Sequence, residues 1–369
     1  MPNSEQDIRI GLRVKSLREQ RNISQEAFAA TLGIEHRQTI AAIESGSRRI
    51  TPAELVRAAA ALGVDLETFT DPFRLVGEGS FSFRAKEVPP GELAAFEDRA
   101  GRWIATYREL SARLGESPGV LGRKLELSAS SSFEEAMASG EALWESWELG
   151  KVPAERLEGA VEEHLGILVL YVDMAEGISG AASHLPKYDT VLVNRNDASG
   201  RRYFDLAHEL FHLLTWDAMP PRRVEGWDVA RAKGNRVENL ADNFAGALLM
   251  PSAILHPRWE ARADADLASW IAGTAAELRV SADALKWRLV AMKLLSPATA
   301  RELAPRAARA RAEGEPLLFS RRFIEVISRG VDAGFLSVRR AAGLLGLRVG
   351  ELARLCTAYG CPLAYDLAQ

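Results

Sequence analysis

His208, Glu209 and His212 stand in the order His-Glu-Leu-Phe-His inside the apolar run 203–214. Positions four apart on a helix lie one above the other, so His208 and His212 can offer two imidazole nitrogens to one ion. Glu209 sits one step round, within reach of a water on that ion. Zinc suits nitrogen ligands at this spacing, and the carboxylate is then placed as the general base of a peptidase. A catalytic zinc takes a third protein ligand and keeps one position open. Glu238, which opens the strongly helical stretch 238–251, is the best candidate. Asp242, one turn further on, could accept the free ring N–H of a zinc histidine and hold its orientation. The competing reading is a pair of buried histidines satisfied by backbone carbonyls; the second stretch in register weighs against it. His184, Tyr188 and Tyr203 lie near the motif and could steady an oxyanion, although packing or surface roles suit each of them better.

The elements that must position these residues can be read from periodicity. At 369 residues and 47% hydrophobic, the chain can build two or three domains. The spacing predicts helices over 8–21, 25–32, 37–45 and 51–62, with Ser24 as an N-cap and Gly33, Gly46 and Gly63 as stops. Residues 71–91 read as a connector with a short alternating Phe81-Ser-Phe83-Arg84 strand. Helices are expected at 93–114, 134–149 and 153–165, and strands at 167–172 and 190–194. Gly177, Gly180 and Pro186 read as a long turn between those strands. From 237 onward the chain reads as all helical, with helix-turn-helix-like patterns at 278–295 and 336–355. The expected fold class is therefore mainly α (α+β). The N-terminal helix-turn-helix bundle spans 1–72 and a helical connector 73–150. A peptidase-type unit with a small β-sheet and the His-Glu helix spans 151–312, and a C-terminal helical domain 313–369.

The net charge of −4 excludes a polycation, so any nucleic-acid contact must be local. Cys356 and Cys361 are the only cysteines, which excludes a disulfide framework and points to a reducing, cytoplasmic setting. The N-terminus shows no signal-peptide core, and no apolar run reaches the roughly 18–20 residues of a membrane span. Cys361 lies in the turn Tyr359-Gly-Cys-Pro-Leu363. Its thiolate could occupy the open zinc position and hold an enzyme inactive; the alternative is a small packing or surface residue.

Helix, glycine-bearing turn, helix at the N-terminus is the helix-turn-helix pattern, whose second helix enters the major groove by its first turn. That turn holds His36, Arg37, Gln38 and Thr39. Gln25, Arg48 and Arg49 are candidates for phosphate contacts. Residues 1–70 hold nine Lys/Arg against nine Asp/Glu. Binding thus requires the basic residues to segregate to one face, in a homodimer. A helical protein-interaction module is the competing reading.

Two family resemblances can be named on these residues. Ser24-Gln25-Glu26-Ala27, Ala29, Leu32-Gly33, Ile43-Glu44 and Gly46 resemble the XRE (Cro/repressor-like) DNA-binding family. One extra residue stands between Gly33 and Ile43. Phe204, Leu206–Glu209 and His212, with Glu238, Ala241, Phe244, Ala245 and Leu248–Pro251, resemble the ImmA/IrrE zinc metallopeptidases. The chain departs from that pattern at Asp205 (usually Thr), Phe211 (often Gly, so a side chain here could narrow the space beside the metal) and Asp242 (usually Asn). In the resembled family the strand before the zinc helix, here 190–194, is where an extended substrate could pair. The resemblance implies a zinc-dependent regulatory endopeptidase that cleaves a transcriptional repressor. That cleavage would derepress a stress, DNA-damage or anti-phage defence operon, with single-stranded DNA as a candidate activator. Two alternatives stand beside it: a DNA-binding regulator whose zinc domain is sensory or structural, and an antitoxin.

Overall fold

The structure, a computed structural model, describes residues 5–116, 124–185, 187–225, 236–262, 266–303 and 314–364. The N-terminal elements are α1 (Glu5–Gln20), α2 (Gln25–Leu32), α3 (Arg37–Glu44), α4 (Pro52–Leu62) and α5 (Glu67–Thr70). Next come β1 (Ser80–Ala85), α6 (Pro90–Arg113), α7 (Phe133–Ser146) and α8 (Ala154–Leu165). β2 (Leu168–Val172), β3 (Ile178–His184), β4 (Thr190–Asn194), α9 (Ser199–Thr215) and β5 (Val224–Glu225) follow. The rest is helical: α10 (Arg236–Leu249), α11 (Ser252–Glu260), α12 (Leu267–Glu277), α13 (Ala282–Ala291), α14 (Pro297–Glu302), α15 (Arg321–Asp332), α16 (Val338–Leu345) and α17 (Val349–Ala358).

Local chemistry sets the ends of the N-terminal helices. Ser24 Oγ accepts the Ala27 N–H at 3.1 Å and starts α2, and Gly33, at φ +66°, ends it in a left-handed turn. A reciprocal capping box of Thr51 and Glu54 starts α4. Ile10, Val14, Leu17, Phe28, Leu32, Ile40, Leu62 and Phe69 close a small core of their own. Inside it the Arg18 guanidinium clamps both Glu44 oxygens, joining α1 to α3.

The sheet runs β2-β4-β3-β1-β5, with β2 parallel to β4, β3 antiparallel to both β4 and β1, and β5 parallel to β1. Successive side chains of a strand point to opposite faces, and both faces are covered. Val169, Tyr171, Ala182, Val191 and Val193 pack with α8, α9 and α10. Leu168, Leu170, Val172, Phe83 and Leu192 pack with α6 and α15–α17.

Four expectations change. The segment read as a long turn around Gly177 and Gly180 contains β3, a strand of small residues that lacks the β-branched signature. Strand 190–194 is interior, paired on both sides, so it presents no edge to a substrate. The connector does not stand apart: β1 joins the sheet, α6 packs in the second core, and α7 packs on α10. The C-terminal helices likewise share that second core with α6. The physical reason is common to all of these: each amphipathic face is completed only by partners distant in sequence.

Candidate metal centre

α9 and α10 carry the site. His208 and His212 project from one face of α9, and Glu238 from the first turn of α10. α10 is held closely. Gly140 of α7 lies against it, where an added Cβ would sit 2.6 Å from the Phe244 carbonyl oxygen. Arg288 of α13 donates to the Met250 carbonyl at 3.0 Å, just past the end of α10.

His208 Nε2 lies 3.0 Å from Glu238 Oε2 and 3.1 Å from His212 Nε2, and His212 Nε2 lies 3.1 Å from Glu238 Oε1. Ligands on one tetrahedral zinc stand roughly 3.3 Å apart, so the three groups already converge to within tenths of an ångström. All three are buried, and among the described residues they are the one His/Cys/Asp/Glu group able to hold a metal ion. The electrostatics agree. Burial would lower the His208 pKa, but Glu238 and Asp242 outweigh it and raise it to about 10. Burial likewise opposes the Glu238 charge, and the two histidines hold its carboxyl well below the ordinary range. The buried, converging nitrogen and carboxylate donors of this cluster suit zinc.

Asp242 accepts the His208 Nδ1–H at 2.9 Å, an arrangement that turns Nε2 toward Glu238 and His212, where it can ligate an ion once its own proton has left. Glu209 is buried with its carboxyl against β3: a Cβ built on Gly180 would sit 3.6 Å from Glu209 Oε1. Burial raises the Glu209 pKa, and the nearby histidines oppose that rise. Phe211 points into the core instead of narrowing the site, with its ring 5.5 Å from Phe244 and edge-on to His212.

The structure does not bring the other candidates to this cluster. Cys361 packs with the core on the opposite face of the sheet, where the Ser328 hydroxyl donates to its carbonyl and burial raises its thiol pKa. That is a correction to the inhibitory-ligand reading: the sheet stands between the thiol and the histidines. His184 is bonded to Asp189 at 2.8 Å and stacked on Trp216, lining a separate cavity of about 160 Å³. Tyr188 packs with the second core and Tyr203 with the first.

One site residue escaped the sequence reading. Arg84 of β1 donates to Asp205 at 2.8 Å and approaches Asp242 at 3.4 Å. A signal for it existed: Asp205 and Asp242 are the two acids that replace neutral residues of the resembled pattern, and surplus buried acids call for a cation.

In the helix-turn-helix, His36, Arg37 and Gln38 are exposed and Thr39 is half-buried at the start of α3. The other three candidates are engaged within the protein. Gln25 donates to Glu44 at 2.8 Å, Arg48 forks onto Glu54, and Arg49 pairs with Asp7 at 3.0 Å.

Comparison with known proteins agrees with this geometry. Residues 14–69 match the helix-turn-helix family model, and residues 162–290 match the model of the IrrE N-terminal-like domain. The chain is a fusion of a helix-turn-helix domain with an IrrE-like, metallopeptidase-like domain. No curated protein matches it. Among solved structures it is similar to the apo form of ComR from S. thermophilus, at 14% identity over 80% of this chain and 90% of that one, with a TM-score of 0.17. It is also similar to the apo competence regulator ComR from Streptococcus vestibularis, at 12% identity over 96% and 99%, again with a TM-score of 0.17. Likenesses of that size carry no weight for what this chain does. No helix among the described residues is long and apolar enough to cross a membrane.

Proposed function

We propose that the chain is a zinc-dependent regulatory endopeptidase that cleaves a transcriptional repressor, with the helix-turn-helix bringing it to DNA or to that repressor. The observation that carries this reading is the buried convergence of His208, His212 and Glu238 beside Glu209. His208, His212 and Glu238 would hold the ion, and Asp242 would keep the His208 ring turned so that Nε2 faces it. When bound, zinc would polarise a peptide carbonyl and acidify a water. Glu209 would take the proton from that water and pass it to the departing amine; the upward shift from burial favours a carboxyl that can hold a proton in transit. Arg84 and Asp205 offset one another's charge at the edge of the site.

The exposed first turn of α3 supports reading of base edges by Arg37 and Gln38. Single-stranded DNA as an activator rests on the family resemblance alone. The experiment is co-expression with a repressor encoded beside this gene, before and after DNA damage, using wild type and Glu209→Gln. Cleavage by wild type alone supports the proposal; equal cleavage by the Gln variant removes Glu209 from the mechanism.

A second reading, a regulator whose zinc domain is structural, is favoured by one observation: β1 covers the edge of β3 beside Glu209. Stoichiometric zinc without cleavage under any of these conditions would establish it.

A further inference from the structure

Extended substrates commonly bind by adding a strand to a sheet edge, main chain to main chain. β3 is the strand that runs beside Glu209, and its side away from β4 is the natural edge for such a substrate. That edge is filled by the chain itself. β1 lies antiparallel on β3 from Ser80↔His184 to Arg84↔Gly180. Gly180 is the residue packed against Glu209, so Arg84 occupies the cross-strand position nearest the candidate base. The register breaks immediately afterwards, between Arg84 and Ala85. Arg84 extends to the same face of the sheet and is gripped there by Asp205 and Asp242, the second of which holds His208.

The other end of the strand is tied to the helix-turn-helix. Glu78, two residues before β1, is bonded to Arg13 of α1 at 2.6 Å and to Arg108 of α6. Arg13 is fully buried and also donates to the Thr68 and Asp71 carbonyls at 3.2 and 2.9 Å. A displacement of α1 would therefore pull directly on the residue that leads into β1.

We propose that β1 is a latch. It holds the β3 edge in the place of an extended peptide substrate, and Asp205 with Asp242 forms a subsite for a basic side chain, filled at rest by Arg84. Movement of the helix-turn-helix domain, transmitted through Arg13 and Glu78, draws β1 off, parting it from β5 as well and lifting Phe83 out of the second core. The vacated edge then accepts a substrate segment that runs antiparallel to β3 and places an Arg or Lys where Arg84 was. This deepens the peptidase reading and rests on it.

The test uses the full chain and reads binding. The probe is a fluorescein-labelled peptide with the sequence of residues 79–86, titrated by anisotropy against Glu209→Gln protein and against the same protein with Arg84→Lys or Arg84→Ala. Arg84→Ala protein should bind the probe at least about tenfold more tightly than the other two, the lower end of what a charged hydrogen bond contributes. Replacing the arginine in the probe by alanine should abolish that gain. Equal affinity for all three proteins, or no binding to a natively folded Arg84→Ala protein, overturns the latch. Should Arg84→Ala fail to fold, hydrogen exchange of the wild-type chain decides. The β3 amides paired with β1 should exchange at least about tenfold faster than those between β2 and β4, through a local opening. Uniform exchange across the sheet overturns the proposal. Neither measurement needs metal or turnover. A chain that binds zinc and cleaves protein but ignores Arg84→Ala refutes the latch alone, and one that binds the probe yet holds no zinc refutes the peptidase reading.

Discussion

Replacing Asp242 by alanine isolates what orientation of His208 is worth. Asp242 accepts the His208 Nδ1–H at 2.9 Å, and Arg84 stands 3.4 Å from the same carboxylate. The bond joins a ring nitrogen to a charged acceptor, a class that contributes about 1.5–3 kcal/mol when its partner is removed. At about 1.4 kcal/mol per factor of ten, that is roughly 10- to 150-fold in affinity, in line with the 10–100-fold typical of such supporting carboxylates. Competition with a chromophoric chelator at fixed pH should therefore place the zinc dissociation constant of Asp242→Ala about 10–150-fold above wild type. Asp242→Asn keeps an acceptor oxygen without the charge and should fall between the two. Loss of Asp242 also leaves Arg84 with Asp205 alone, so circular dichroism must accompany the titration. A natively folded Asp242→Ala protein that binds zinc within about twofold of wild type would show that packing on α9 alone holds the ring, and the orientation argument would be wrong.

Further outcomes follow from the same contacts. Glu209→Gln should retain stoichiometric zinc while cleavage falls by about 10²–10⁴-fold, the contribution of a general base, as read by repressor cleavage and metal analysis. Arg37→Ala and Gln38→Ala should each weaken binding to DNA selected by the wild-type chain by about 1–3 kcal/mol, while Arg49→Ala, already paired with Asp7, should change it less; filter binding that shows the reverse ranking would remove the α3 first turn from recognition. The hydrogen bond from Arg48 lowers the Glu54 carboxyl from its ordinary 4.5 to about 2, with burial acting the other way. A carboxyl depressed in the folded state stabilises fully above about pH 4.5 and loses that contribution as the pH falls toward 2. Protection factors of the α4 amides in the full chain, corrected for intrinsic exchange at each pH, should therefore fall across that window in wild type, and Glu54→Gln should flatten the change.

Local signals in the sequence carried a good deal. The four-residue spacing of His208 and His212, the polar cap at Ser24, the left-handed stops at Gly33 and Gly63, and the alternation of Phe81 and Phe83 each report a period or a cap within one turn. α2 and β4 accordingly fall on their expected boundaries. Glu238 was legible because it opens an amphipathic helix, and Asp242 because it lies one turn further on. β3 was hidden by its small residues: Gly180 reads as a turn, whereas it lies within the strand with the Glu209 carboxyl packed against it.

By itself the sequence determined which residues carry metal-ligating side chains at suitable spacing, which helices present them, and where the N-terminal helices begin and end, because those properties depend on neighbours within a turn. Only the tertiary structure decided that β1 lies along β3, that Arg84 meets Asp205 and Asp242, and that Cys361 is separated from the histidines by the sheet. Strand pairing and buried ion pairs join residues roughly a hundred or more positions apart, and no local period records which partner completes them.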